Sequence, residues 1–331
     1  MKRLFSRRPT RREGLWAIAI ACLLVALAFF VYLGYGWDWT GFQGNKLFDW
    51  LLILVSASIP VAVGIGTFAL NRGAKRRDDE AETQRAEEAS LQAYLDYMSG
   101  MLINPEQPLR RSHMGDNLSV VARAQTLTVL GRLEDGYRKG SVLQFLYEAG
   151  LINKKYPVID LKGADLSGAA LSSANVEGTY LQGANLHRAN LQEANLLGAN
   201  LQEAIFQDAK LRYANLQGAN LLGAKLQNAD LQGADLQGAD LQGAILQDAK
   251  LRYANLLGAN LLGANLLGAN LLEADLLGAN LQEAILDEAM LHGALLQYAH
   301  GLTQDQLEAA LGTEDTTLPE TKFPGTPYTG S

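Results

Sequence analysis

An all-β solenoid, a square coil of about seven turns preceded by two transmembrane helices and a helical connector, is the fold class this sequence predicts. Three observations predict it. From Leu161 to Leu296 an apolar residue recurs at every fifth position, twenty-eight times without a slip. That residue is Leu everywhere except at Val176 and Phe206, and from Ala164 onward Ala stands two places before it, Thr179 excepted. Upstream lie two apolar stretches of about twenty residues with basic flanks, long enough as helices to cross a bilayer.

The amino-terminal segment, 1–14, holds Lys2, Arg3, Arg7, Arg8, Arg11 and Arg12. The first span is expected over 15–34 and the second over 48–70, with Pro60 as a tolerated kink. Between them, 35–47 reads as a short external loop with Trp37 and Trp39 at the interface. Basic residues precede the first span and Arg72, Lys75, Arg76 and Arg77 follow the second, whereas the loop offers only Lys46. The positive-inside rule therefore places both termini, and everything after residue 70, in the cytoplasm of a multi-pass membrane protein. A cleaved signal peptide would share the basic start, but no small-residue cleavage site follows and a second span comes soon after.

The connector, 71–156, is expected to be helical. Its first helix, 73–103, is charged all round in its first half and then carries Leu91, Leu95, Met98 and Leu102 at helical spacing, with Tyr94 and Met101 beside them. Pro105 and Pro108 end it. Two more helices are expected over 118–133 and 141–152, with Ser141 as N-cap and Gly136 and Gly140 framing the turn. This pair could suggest a helix-turn-helix reader of DNA, but Glu134, Asp135 and Glu148 dilute its charge. The net charge of −7 likewise argues against general nucleic-acid binding.

The repeat, 157–301, cannot be an ordinary element. Five residues of α-helix advance about 500°, which scatters the leucines around every side. In a strand an odd spacing sends alternate leucines to opposite faces. A chain that turns a quarter circle after every five residues instead puts every Leu inside, so four units make one coil. Glycines such as Gly163, Gly183 and Gly198 fall two places after the Leu, the turn position at which type II geometry needs a positive φ. The unit reads as Ala184-Asn185-Leu186-His187-Arg188.

This motif resembles the pentapeptide-repeat family. The resemblance implies a right-handed quadrilateral β-helix, a handedness that the spacing alone does not give. The ending is similar to that family's C-terminal cap: over 302–312 a short capping helix is expected, with Thr303 and Gln306 spaced as a capping box. The segment Arg123 to Ile152 resembles that of membrane-anchored members. The tail, 313–331, with Pro319, Pro324 and Pro327, is expected to be disordered.

Positions twenty apart should sit on adjacent coils. One column would then stack Lys210, Asp230 and Lys250 as a charge ladder. Two outward features are candidate interaction surfaces. The segment from Ala204 to Tyr213 recurs forty residues on, from Ala244 to Tyr253, so Arg212-Tyr213 and Arg252-Tyr253 would share a face two coils apart. This is either a recognition strip or the trace of a duplication. Leu257, Leu262, Leu267, Leu272 and Leu277 stand just after the core Leu, where Gln is usual, and would ring one coil with apolar side chains.

No catalytic, cofactor-binding or metal-ligating constellation is legible. The one cysteine, Cys22, lies in an apolar run, and His113, His187, His292 and His300 are scattered. Asp230, Asp235 and Asp240 fall on three different faces and cannot act as an acid/base pair. The expected function is a non-catalytic scaffold, anchored in the bilayer, that presents its coil to an unknown protein partner or to another copy. Two alternatives stand beside it. Some members of the resembled family mimic duplex DNA and regulate type II topoisomerases; the third reading is a structural coil facing the periplasm.

Overall fold

The computed structural model describes residues 77–152, 157–312 and 315–318, together with Arg72 and Lys75. Both expected transmembrane spans, the loop between them and the tail from 319 lie outside the described residues. Among the described residues no helix is long and apolar enough to cross a membrane. The chain divides into two compact units, Met1–Ala81 and Glu82–Ser331, and apart from residues 77–81 the second holds every element below.

The five-residue unit builds the coil as its spacing requires. Each core Leu opens a β-turn: Ala184 N–H donates to Leu181 O at 3.0 Å, and the pattern repeats unit after unit. The second central residue has a positive φ, +63° at Gly183 and +61° at Gly198, while the first does not, which is the type II sign pattern. Parallel bridges join residues twenty apart, from Asp165 with Asn185 to Asn280 with His300. Four units therefore make one coil, and seven coils fill 161–300. Each coil gives and takes: Leu166 N–H donates up to Asn185 O at 2.8 Å, and Asn185 N–H donates back to Ala164 O at 2.9 Å.

The coil has four faces. The first follows the core positions of Leu161 and Leu181, the second Leu166 and Leu186, the third Leu171 and Leu191, the fourth Val176 and Leu196. The core residues and the alanines that precede them are buried, except that Ala174 is half-buried. Burial of each Leu contributes roughly 1.5–3 kcal/mol, and Ala is small enough to let opposite walls meet. Thr179, the departure from Ala, is also buried, and its hydroxyl donates to Val176 O at 2.7 Å, so the extra polar atom is satisfied.

Where Asn or Asp precedes the core residue, it has two uses. Its Oδ1 accepts the N–H two residues on, as at Asn215 with Gln217 (3.1 Å) and Asn255 with Leu257 (3.1 Å), which pins the turn. Its amide also bridges coils: Asn195 Nδ2 donates to Asn175 Oδ1 at 3.1 Å, and Asn255 Nδ2 to Asp235 Oδ1 at 3.0 Å.

The connector comprises α1 (77–103, of which 82–103 belongs to the second unit), a 3₁₀ turn at Leu109–Arg111, α2 (Asn117–Arg132) and α3 (Gly136–Glu148). Leu91, Tyr94 and Met98 of the expected stripe are buried. One expectation fails. The third helix starts five residues before Ser141, at Gly136, and its N-cap is Asp135, whose Oδ1 accepts the N–H groups of Tyr137 and Arg138. Ser141 lies inside the helix and donates to Tyr137 O.

Both ends of the coil are closed by mimicry of the missing rung. At the first coil, Ala170 N–H has no preceding coil to donate to, and it donates to Gly136 O of α3 at 2.9 Å. At the last coil, Ala284 O would accept from a following rung; instead Gln306 Nε2 of α4 (Gln304–Ala309) donates to it at 2.7 Å and to Leu281 O at 3.0 Å. The expected capping box of Thr303 and Gln306 is present. Beyond α4 the chain keeps pairing: Leu311 bridges Met290 and Thr317 bridges Leu295. Residues 315–318 thus depart from the expected disordered tail, because the open edge of the last coil offers them backbone partners.

Candidate functional site

The expected leucine girdle exists as a ring but is less exposed than the sequence suggests. Leu257, Leu262, Leu267, Leu272 and Leu277 are all half-buried. The corner position has same-column neighbours one coil above and one below, at about 4.8 Å spacing, and these cover much of each side chain. Leu257 and Leu277 stack directly on the fourth face, while the other three lie on separate faces. Fuller exposure belongs to the last coil and its cap, at Ile285, Leu295, Tyr298 and Leu311.

The Arg-Tyr pairs do come together on one face. Arg212-Tyr213 and Arg252-Tyr253 lie on the third face two coils apart, with Gln232 between the arginines. Tyr213 and Tyr253 are 55% and 47% exposed. The Arg252 guanidinium stands 4.5 Å from the Tyr253 ring centre, a cation–π contact, and 3.3 Å from Glu273. The Arg212 guanidinium is 5.8 Å from the Tyr213 ring and donates to Gln232 Oε1 at 2.9 Å. The Tyr213 ring reaches the next coil at Gly233.

The same face holds Lys210 and Lys250, so four of the seven Lys and Arg residues between 160 and 300 gather there. The column Lys210, Asp230, Lys250 has the expected register, but it is no charge ladder: none of the three forms an ion pair within 4.0 Å among the described residues. Asp230 Oδ1 instead accepts Gln232 N–H, the local turn bond that its position favours.

One polar cluster was not foreseen. Lys139 of α3 is buried at the mouth of the first coil, where its ammonium lies 3.2 Å from Asp165 and 3.3 Å from Ser167 Oγ. Desolvation alone would raise the Asp165 carboxyl, but bonds from the Ser167 side chain and N–H, together with Lys139, outweigh it and hold the group below its ordinary range. Nearby, buried Glu87 of α1 accepts Glu134 N–H at 2.5 Å and pairs with Arg138 at 2.6 Å. The legible signal was the Gly136–Gly140 spacing, which puts two residues without Cβ on one side of a helix. A Cβ at either would stand 2.1 or 2.3 Å from a backbone oxygen of the first coil, at Gly168 or Ala170. Among the described residues no three His, Cys, Asp or Glu side chains gather as a metal site.

A family model described as pentapeptide repeats matches residues 159–186, 171–208, 204–243, 244–276 and 274–300, the whole run of coils. The chain belongs to the pentapeptide-repeat family. Its coil is accordingly a right-handed β-helix solenoid. Among solved structures, this pentapeptide-repeat chain is similar to HetL, a protein involved in heterocyst differentiation regulation in the cyanobacterium Nostoc sp. strain PCC 7120. That match has 36% identity and a TM-score of 0.25, over 50% of this chain and 79% of that one. It is also similar to a pentapeptide repeat protein from the Arabidopsis thaliana thylakoid lumen, at 29% identity and a TM-score of 0.19, over 46% of this chain and 77% of that one. QnrB1, a plasmid-mediated fluoroquinolone resistance protein, matches at 19% identity and a TM-score of 0.35, over 49% of this chain and 83% of that one. No curated protein matches the chain.

Proposed function

We propose that the chain is a membrane-anchored, non-catalytic scaffold whose β-helix offers its lateral faces to a protein partner or to another copy. The observation that carries this reading is the closure of both ends, by Gly136 O at one and Gln306 Nε2 at the other. End-to-end stacking is thereby opposed, and the long, uninterrupted sides are the surface left for recognition. The apolar stretches 15–34 and 48–70, with basic residues on their outer flanks, support anchoring with the β-helix on the cytoplasmic side. A DNA-mimicking regulator of a topoisomerase has weaker support, because Lys210, Arg212, Lys250 and Arg252 interrupt the negative surface on one side. A periplasmic coil would need the basic flanks to be translocated, against the positive-inside rule.

Fractionation of cells that express the full chain is expected to leave it in the membrane pellet after a high-salt wash, with release only by detergent. Release by salt alone would remove the anchor from the proposal. In-cell crosslinking should capture the protein itself or one membrane-proximal protein. If the leucines contribute, a variant with Leu257, Leu262, Leu267 and Leu272 replaced by Gln weakens that capture. Unchanged capture of a nucleic-acid enzyme would favour mimicry instead.

A further inference from the structure

The charges on the second and third faces follow one rule. In the coil 181–200 the second face carries Arg188 and the third carries Glu193. In 201–220 the signs exchange, with Asp208 on the second and Lys210 and Arg212 on the third. They exchange again in 221–240, where Lys225 faces outward beside Asp230, and once more in 241–260, where Asp248 stands beside Lys250 and Arg252. Over four consecutive coils each face alternates in sign, and at every level the two faces are opposite.

Little of this charge is spent within the chain. Among the described residues Lys210, Lys225, Asp230, Asp248 and Lys250 form no ion pair within 4.0 Å, Arg188 reaches Asp208 only at 4.0 Å, and Arg252 alone has a close partner, Glu273 at 3.3 Å. Coils repeat at about 4.8 Å, so the sign pattern repeats at about 10 Å. Same-face side chains of a strand recur at about 6.8 Å and turns of an α-helix at about 5.4 Å, so neither keeps step over four levels as well as an identical coil does.

We propose that a second copy of this chain is the partner of that pattern, and that four copies close into a parallel ring. The second and third faces meet along one edge of the square coil. A copy given a quarter turn about that edge lays its third face on its neighbour's second face at the same level, so that beside the edge Lys210 meets Asp208 and Lys250 meets Asp248. Three such turns close the ring with four identical contacts and no free second or third face. A slip of one coil sets Asp208 or Asp248 against Asp230, so like charges enforce the register. Apolar contact is present at the same levels: Ile205 and Ile245, half-buried, lie on the second face, and half-exposed Tyr213 and Tyr253 on the third. The ring deepens the scaffold reading and rests on it; a parallel ring is also the symmetry open to copies held in one bilayer.

The test uses the full-length chain in mild detergent, with its mass measured by sedimentation. The wild type is expected at four copies. K210E/K250E sets acid against Asp208 and Asp248, and D208K/D248K sets base against Lys210 and Lys250, so each alone should fall to a single copy. Mixed in equal amounts, they should regain the four-copy mass, because the reversed third face of one meets the reversed second face of the other. Recovery on mixing also shows that neither variant is misfolded. A single-copy wild type, or dissociated variants that stay apart when mixed, would overturn the ring. An assembly that survives both reversals but is lost when the four leucines become Gln would overturn the ring and leave the scaffold standing.

Discussion

Gly233 and Gly238 occupy equivalent corners of successive units, with φ of +66° and +63°, yet they have different surroundings. A Cβ added at Gly238 meets open space, whereas one at Gly233 would stand 2.6 Å from the ring of Tyr213. Left-handed backbone costs an L-residue roughly 1 kcal/mol relative to Gly, and thirteen corners of this β-helix bear that cost, Tyr213 and Tyr253 among them. Gly238→Ala is therefore expected to destabilise by about that amount, since no clash is added. Gly233→Ala should cost more or swing the Tyr213 ring away. Thermal unfolding of both variants with and without Tyr213→Ala separates the two terms: the difference between the glycines should vanish once the ring is gone. If it persists, the ring does not rest on Gly233. Of the three tyrosines kept at these strained corners, Tyr213 and Tyr253 lie on the third face and Tyr298 on the fourth.

The junction of α3 with the first coil shows how two elements can depend on the absence of atoms. Glycines inside a helix cost about 1 kcal/mol each against Ala, so local propensity argued for a turn at Gly136 and Gly140 and for a helix that begins at Ser141. Close backbone approach to Gly168 and Ala170 reverses that preference, a tertiary effect that no local pattern carries. Gly140→Ala should raise helix propensity and still destabilise the protein by roughly 1–3 kcal/mol, through a clash with Ala170 O. A raised melting temperature would contradict the docking geometry. Lys139 and Asp165 join the same elements electrostatically. The folded carboxyl sits below its ordinary range, so its contribution is full above that range and is lost as pH falls through the folded value. Asp165→Asn should accordingly lower stability at neutral pH and flatten the acid side of the stability profile. An unchanged acid limb would remove Asp165 from the acid response. At the other end, α4 was legible in advance, because a capping box is a local device that Thr303 and Gln306 satisfy by themselves. The second use of Gln306, as a substitute rung, is a long-range one and left no mark in the spacing.

At the scale of the molecule, the period of five made the core, the faces and the number of coils legible, because every unit buries the same two side chains and each coil contacts only its neighbours. What the outward residues do was harder to read. Burial of the leucine ring depends on stacking above and below it, and the alternating charges acquire meaning only when two faces are compared level by level. The forty-residue echo is where the two kinds of information meet, since it spans two complete coils and one full cycle of sign. Removal of residues 211–250 joins Lys210 to Leu251 and leaves Ala209-Lys210-Leu251-Arg252-Tyr253, the same unit as before. All four columns keep their register, both ends keep their caps, and five coils remain. This shortened chain should fold cooperatively, with an unfolding enthalpy lower by about 28 kcal/mol for forty residues at roughly 0.7 kcal/mol each. Removal of residues 221–240 takes out half as much chain but stacks Lys210 on Lys250 and Asp208 on Asp248. Like charges on adjacent coils oppose the ladder, so the smaller deletion should be the more salt-sensitive of the two. Calorimetry of both at low and high salt decides the matter. Equal salt dependence would mean that the echo is a relic of duplication, without consequence for how the coils stack.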